Sequence, residues 1–165
     1  MPSRLRIFAA LLAACAAAAT ACSDTATGPK QDLLLATSGP VRFYAGDLTS
    51  VTVTVTNNSA TRTYQILANG CQDPFTVATT SGSTFPARYY VCTASAPAPR
   101  ALPPGQSLSF TRDWDGRVGA GSGVDAVPLP PGTYLVRGFV TVADGTTVAT
   151  NASLTTEVLA RSTTR

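Results

Sequence analysis

The sequence predicts an all-β domain, an antiparallel immunoglobulin-like β-sandwich of seven to eight strands, and three observations carry that expectation. First, Thr, Val, Ala, Gly, Pro and Ser dominate, while the chain holds a single lysine (Lys30) and a single glutamate (Glu157). That composition favours strands and turns over amphipathic helices, which draw on Glu, Lys and Leu. Second, apolar residues alternate with a period of two through most of the chain, as they do along strands with one face in a core. Third, Gly- and Pro-rich turns punctuate the alternation at roughly 8–15-residue intervals, the spacing of a sandwich of short strands.

The clearest strand is Thr49–Thr56, in which Val51, Val53 and Val55 share one face and threonines the other. Asn57-Asn58-Ser59 supplies turn chemistry, and Thr61–Leu67 is expected to return as the second arm of a hairpin. Asn69-Gly70 marks a further turn. Phe75–Thr79 and Arg88–Cys92 read as two strands separated by the Ser81-Gly82-Ser83 turn. Ala94–Pro104 holds four prolines and is excluded from the centre of any sheet, because proline donates no ladder hydrogen bond. Two segments echo each other, Leu102-Pro103-Pro104-Gly105 and Leu129-Pro130-Pro131-Gly132, and each launches an alternating strand. The first strand carries Leu108, Phe110 and Trp114 on one face; the second carries Tyr134, Val136, Val140 and Val142, interrupted by Gly138. Asp144-Gly145 is a hairpin turn, and Ala152–Leu159 is the last strand. Gly116–Val127, glycine-rich and without a period, is the one long irregular insert, and loops of that length are usually functional or mobile.

Ahead of the domain, Arg4 and Arg6 lead an apolar stretch, Ile7–Ala21, that ends in small residues and a cysteine. A basic start, a short apolar region and a small-residue cleavage site form a secretory signal. At fifteen residues the apolar stretch is short of the roughly 20 that a membrane span needs. The terminal cysteine makes the segment resemble a bacterial lipoprotein signal, cut before a cysteine whose thiol is lipidated. Leu12-Ala13-Ala14-Cys15 fits the cleavage pattern slightly better than Ala19-Thr20-Ala21-Cys22, but cutting before Cys15 leaves only Ile7–Ala14 as the apolar region. Cys22 is therefore the favoured lipidation site and Cys15 the alternative, with a plain secreted protein cut near Ala21 also open. The organisation expected is a signal over 1–21, a linker over 22–30, the sandwich over 31–160 and a frayed tail over 161–165.

Removing the signal lowers the 12 basic residues to ten, against nine acidic ones, so nothing in the charge points to nucleic acid. Cys71 and Cys92 then remain, and an exported domain sits in an oxidising compartment. They read as one disulfide closing a loop whose entropy is worth roughly 3 kcal/mol, with two buried thiols as the alternative. A zinc site is unsupported, because two cysteines in a chain with no histidine leave too few ligands.

Three motifs in order resemble the BsuPI-type intracellular proteinase inhibitor domain, a small immunoglobulin-like family. They are Val51-Thr-Val-Thr-Val-Thr-Asn-Asn-Ser59, Pro104-Gly-Gln-Ser-Leu-Ser-Phe110 leading to Trp114-Asp115-Gly116, and Leu129-Pro-Pro-Gly-Thr-Tyr134. The resemblance spans roughly residues 40–145 and implies a sandwich fold and inhibition of a protease. It implies no particular inhibitory residue, and the export signal and the Cys71/Cys92 pair depart from an intracellular family.

The search for chemistry finds little. Without histidine the commonest general base is missing. Asp113 and Asp115 are spaced to share a strand face, as a glycosidase's carboxylates do, but read better as a strand end and an Asp-Gly turn. The same stretch is a poor calcium loop, because the closing glutamate is absent. Tyr89, Tyr90 and Phe85 are candidates for an aromatic contact patch. Arg100 and Arg117 are basic residues that a trypsin-like protease could recognise, though solvated loop charges are the plainer reading. The expectation is a lipid-anchored cell-envelope protein with no catalytic residue, no metal and no cofactor. It would bind an unknown protein partner, either a protease or a component that an accessory envelope or adhesion domain serves.

Overall fold

The computed structural model describes residues 32–67, 72–88, 98–120 and 126–161. These residues form an immunoglobulin-like β-sandwich of two facing sheets. The first sheet has the order β1 (Leu33–Ser38), β3 (Thr49–Asn57), β8 (Ser107–Trp114), all antiparallel. The second is built on the long strand β11 (Gly132–Val142). Along one edge of β11 lie β12 (Thr147–Ala149) and β13 (Leu154–Leu159); along the other lie β4 (Tyr64–Leu67) and β5 (Phe75–Thr79). The path β2-β13-β11-β4-β7 is completed by β2 (Arg42–Tyr44) and β7 (Arg100–Leu102) at its edges.

The described residues form thirteen strands, more than the seven to eight expected, because three strands of the sandwich are broken in two and the insert adds a two-stranded ribbon of its own. The first strand of the chain changes sheets at Gly39-Pro40. β1 pairs with β3, and beyond the proline, which has no N–H to continue that ladder, β2 pairs in parallel with β13. Thr156 Oγ1 donates to the Pro40 carbonyl at 2.7 Å and holds the bend. The strand opposite β13 is divided into β4 and β5, and the last strand into β12 and β13.

The hairpin expected between Thr49–Thr56 and Thr61–Leu67 does not form: β3 and β4 lie in different sheets. Asn57 is the reason. Its side chain is fully buried; Nδ2 donates to the carbonyls of Arg62 (2.6 Å) and Leu102 (2.9 Å), and Oδ1 accepts from Ser59 N (3.0 Å). This satisfied amide turns the chain across to the second sheet, where β4 pairs with β7.

The alternation in β3 and β11 is obeyed residue by residue. Val51, Val53 and Val55 face Val136, Val140 and Val142 in the core, with Phe75, Val77, Ile66 and Leu102 beside them. The sheets approach closely at Gly138, where an added Cβ would lie 2.7 and 2.8 Å from the two Val53 methyls. Tyr134, near the start of β11, donates its hydroxyl to the Pro130 carbonyl at 2.7 Å, the tyrosine corner of immunoglobulin-like sandwiches. Burial pushes its pKa above the usual phenol value.

The turn chemistry holds in detail. Pro104 and Gly105 (φ +71°) occupy the centre of a turn closed by Gln106 N to Pro103 O, the arrangement of a type II turn. Asp144-Gly145 joins β11 to β12, with Thr146 N donating to Asp144 Oδ1 at 2.8 Å. That contact holds the Asp144 carboxyl below its usual pKa. The Ser81-Gly82-Ser83 turn joins β5 to β6 (Thr84–Phe85), so the next strand begins earlier than the expected Arg88–Cys92, whose last four residues lie outside the described set. β7, bounded by Pro99 and Pro103, sits at a sheet edge. The Gly116–Val127 insert is not irregular throughout: Arg117–Gly119 (β9) and Ala126–Pro128 (β10) pair as a ribbon, with Val118 buried. Beside the base of this insert, where Gly46 N donates to the Asp115 carbonyl, Arg161 is tied to Asp47 by an ion pair.

Candidate functional site

Trp114 organises the end of the sandwich where Asp113 and Asp115 stand. It closes β8 fully buried, its ring against Phe43 (5.1 Å between centroids) and Phe75 (5.7 Å), and its Nε1 donates to the Arg117 carbonyl at 2.7 Å. This anchor, with Leu129 N donating to Gly116 O, gives the glycine-rich insert its ordered base.

The two carboxylates flanking Trp114 are not brought together on one substrate-sized site. Asp113 Oδ1 accepts from Ser50 Oγ at 3.0 Å on the outer face of the first sheet. Asp115 Oδ1 accepts from Arg88 Nη1 at 3.0 Å and from Arg117 N at 3.2 Å, which caps the Asp-Gly turn. A further carboxylate, unremarked in the sequence, is more deeply placed. Asp73 is buried, with Arg88 Nε at 3.6 Å and Arg112 Nε at 3.9 Å. The network Asp73–Arg88–Asp115–Arg117 joins the second sheet to the β8–β9 corner. Its charges are mutually compensated, as buried charges must be. Among the described residues no cluster of three or more His, Cys, Asp or Glu side chains could hold a metal.

Of the aromatic candidates, Phe85 is half-buried and packs edge-on against Tyr134 at 6.2 Å, which makes it part of the core's rim and not a free anchor. Tyr89 and Tyr90 lie outside the described residues. Arg100 is exposed and lies over the Phe110 ring at 5.8 Å, while the half-exposed Arg117 pairs with Asp115. Both are exposed, as solvated charges are, but they stand at the starts of β7 and β9 and not in loops. Cys15, Cys22, Cys71 and Cys92 all lie outside the described residues. Within the described residues, Asp73 N donates to the Arg88 carbonyl at 2.9 Å, which sets positions 73 and 88 side by side.

The feature that the sequence reading missed is a trough of about 520 Å³ on the outer face of the second sheet. Its floor is Leu135, Arg137 and Phe139, the outward residues of β11; Ala78 and Ala149 on the flanking strands are small, and the β5–β6 turn rises beside them. Arg137 is exposed, and its Nε donates to Ser153 Oγ at 2.8 Å. The signal was present. Tyr134–Val140 is apolar on both faces apart from Arg137 and Gly138, whereas a strand with one solvated face alternates with polar residues.

No family model matches the chain, and no curated protein matches it. Among solved structures, the CARDB domain of the PF1109 protein from Pyrococcus furiosus, solved in complex with di-metal ions, is 18% identical. That match covers 79% of this chain and 88% of that one, at a TM-score of 0.40. The PKD domain of an M14-like peptidase from a Thermoplasmatales archaeon is 15% identical over 76% of this chain and 92% of that one, at 0.36. A mutant β-glucosidase from Listeria innocua, in complex with laminaribiose, is 20% identical over 77% of this chain but only 16% of the enzyme, at 0.39. At these scores nothing about this chain's ligand or activity follows from the likenesses.

Proposed function

We propose that this chain is a lipid-anchored cell-envelope protein whose sandwich is a non-catalytic, protein-binding module held close to a bacterial membrane on its extracytoplasmic side. The observation that carries this reading is how the chain is held at Asp32, the first of the described residues. Asp32 is buried; it accepts the Tyr64 hydroxyl through Oδ2, and its carbonyl accepts from Asn58 N at 2.7 Å. Burial, and then the bond to Asp32, raise the Tyr64 pKa, so the phenol stays a donor over the whole physiological range. The chain is thus pinned to the domain ten residues after Cys22, and its reach is at most roughly 35 Å. A domain on so short a leash acts at the membrane surface.

Within this reading Cys22 is the acylated residue, and two or three acyl chains, at about 0.8 kcal/mol per buried CH₂, hold the domain firmly. The Cys71–Cys92 disulfide belongs to the same proposal, supported by the Asp73–Arg88 backbone bond that sets the two flanks side by side. Inhibition of an extracytoplasmic protease is the finer activity that the resemblance to the BsuPI-type domain adds; an accessory envelope or adhesion module is the other. Intact-mass spectrometry of the membrane-extracted protein tests the anchor and the bridge together. The expected species starts at Cys22, carries fatty-acyl mass and gains about 2 Da on reduction. A species without acyl mass, or with acyl chains retained in Cys22→Ala, contradicts the anchor; an unchanged mass on reduction contradicts the disulfide.

A further inference from the structure

The trough on β11 has a composition that specifies an occupant. Three outward side chains stand in a row at the two-residue period of a strand: apolar Leu135, cationic Arg137, apolar Phe139. Successive outward positions on a strand are about 6.7 Å apart, and an extended peptide presents its own side chains at the same interval. The guanidinium is oriented from one side by Ser153 Oγ, and Arg137 has no carboxylate partner among the described residues. Among the described residues it is also the one charged side chain lining the trough. A preoriented, unneutralised guanidinium between two apolar side chains favours a carboxylate carried between two apolar groups.

We propose that the trough binds an extended segment of a partner protein with an apolar residue, an acidic residue and a second apolar residue at alternate positions. The acidic side chain meets Arg137, and the two apolar side chains rest on Leu135 and Phe139. Ala78 and Ala149, flanking the floor on the neighbouring strands, leave the width that such a segment needs. The proposal rests on the reading of the domain as a protein-binding module and names the partner chemistry of one face of it.

The test is a titration of the ¹⁵N-labelled mature chain, in detergent micelles, with the blocked peptide acetyl-Leu-Ser-Glu-Ser-Phe-amide. Saturable shifts are expected at the amides of Ala78, Leu135, Phe139 and Ala149. The glutamine version is expected to bind about tenfold more weakly, and Arg137→Gln to remove that difference. Arg137 is exposed on the outer face, so the variant keeps the core and remains folded. Equal binding of the glutamate and glutamine peptides, no saturable binding of either at millimolar concentration, or equal shifts with maltotriose each overturn the proposal. If the glutamine peptide with a free C terminus binds as tightly as the blocked glutamate peptide, the internal acidic residue is the wrong source of the carboxylate and the proposal fails. If peptide binding fails while the anchored protein still crosslinks to a partner, only this face is wrongly assigned; if no partner is found at all, the binding-module reading itself falls.

Discussion

Gly138→Ala is expected to destabilise the domain by about 3 kcal/mol and to lower its melting temperature by about 10 °C. The added methyl would sit 2.5 Å from Thr37 Oγ1 and 2.7 and 2.8 Å from the Val53 methyls. Val53 is fully buried and β-branched, so it has no rotamer into which to retreat. Thr37 Oγ1 cannot move without losing its bond from Gly138 N, at 2.9 Å. The sheets must therefore separate at this close approach, which loosens the valines on both sides. Trimming the neighbour offers an internal check: Gly138→Ala with Val53→Ala should be less destabilised than the sum of the two single variants, by 1 kcal/mol or so. Urea denaturation of the four proteins measures this coupling, and a Gly138→Ala variant within about 0.5 kcal/mol of the parent contradicts the packing described here.

Trp114→Ala is expected to cost about 4 kcal/mol, the upper range for removing a large aromatic from a core. Its ring bridges Phe43 of β2 and Phe75 of β5, and so ties two strands of the second sheet to the end of the first. Its N–H also satisfies the Arg117 carbonyl at the base of the β9–β10 ribbon. Trp114→Phe separates these roles: it keeps most of the packing and removes the donor, for a loss of about 1–2 kcal/mol. Trp114 is the only tryptophan in the chain, so the emission of the parent reports burial at this site directly. Equal stability of the Ala and Phe variants would show that packing against Phe43 and Phe75 contributes little.

How legible each part was in the sequence follows from the range of the force that fixes it. β3 and β11 were legible because their inward valines are spaced by strand geometry alone, and the Pro104-Gly105 and Asp144-Gly145 turns because backbone dihedrals are set locally. The passage from β3 to β4 was not. Asn57 read as a turn residue, but its amide reaches Leu102, 45 residues away, and this long-range bond sends the chain to the other sheet. Nor was the sheet switch at Gly39-Pro40, since β2 is only three residues long and owes its existence to β13. Asp113 and Asp115 take the strand-end and Asp-Gly-turn places that the sequence favoured for them, but spacing could not reveal their partners, Ser50 and Arg88. Arg137 was passed over as an ordinary outward residue; its setting emerges only when β5, β12 and Ser153 are placed around it.

Photo-crosslinking of the anchored protein on intact cells, followed by mass spectrometry of what is captured, decides whether the domain is a binding module fixed at the membrane. The account predicts one or a few envelope proteins, lost when Cys22→Ala releases the domain from the membrane. A protease among them supports the inhibitory role implied by the BsuPI-type resemblance; a non-protease supports an accessory role. Capture of no protein, or the same capture from Cys22→Ala as from the anchored form, would contradict the account.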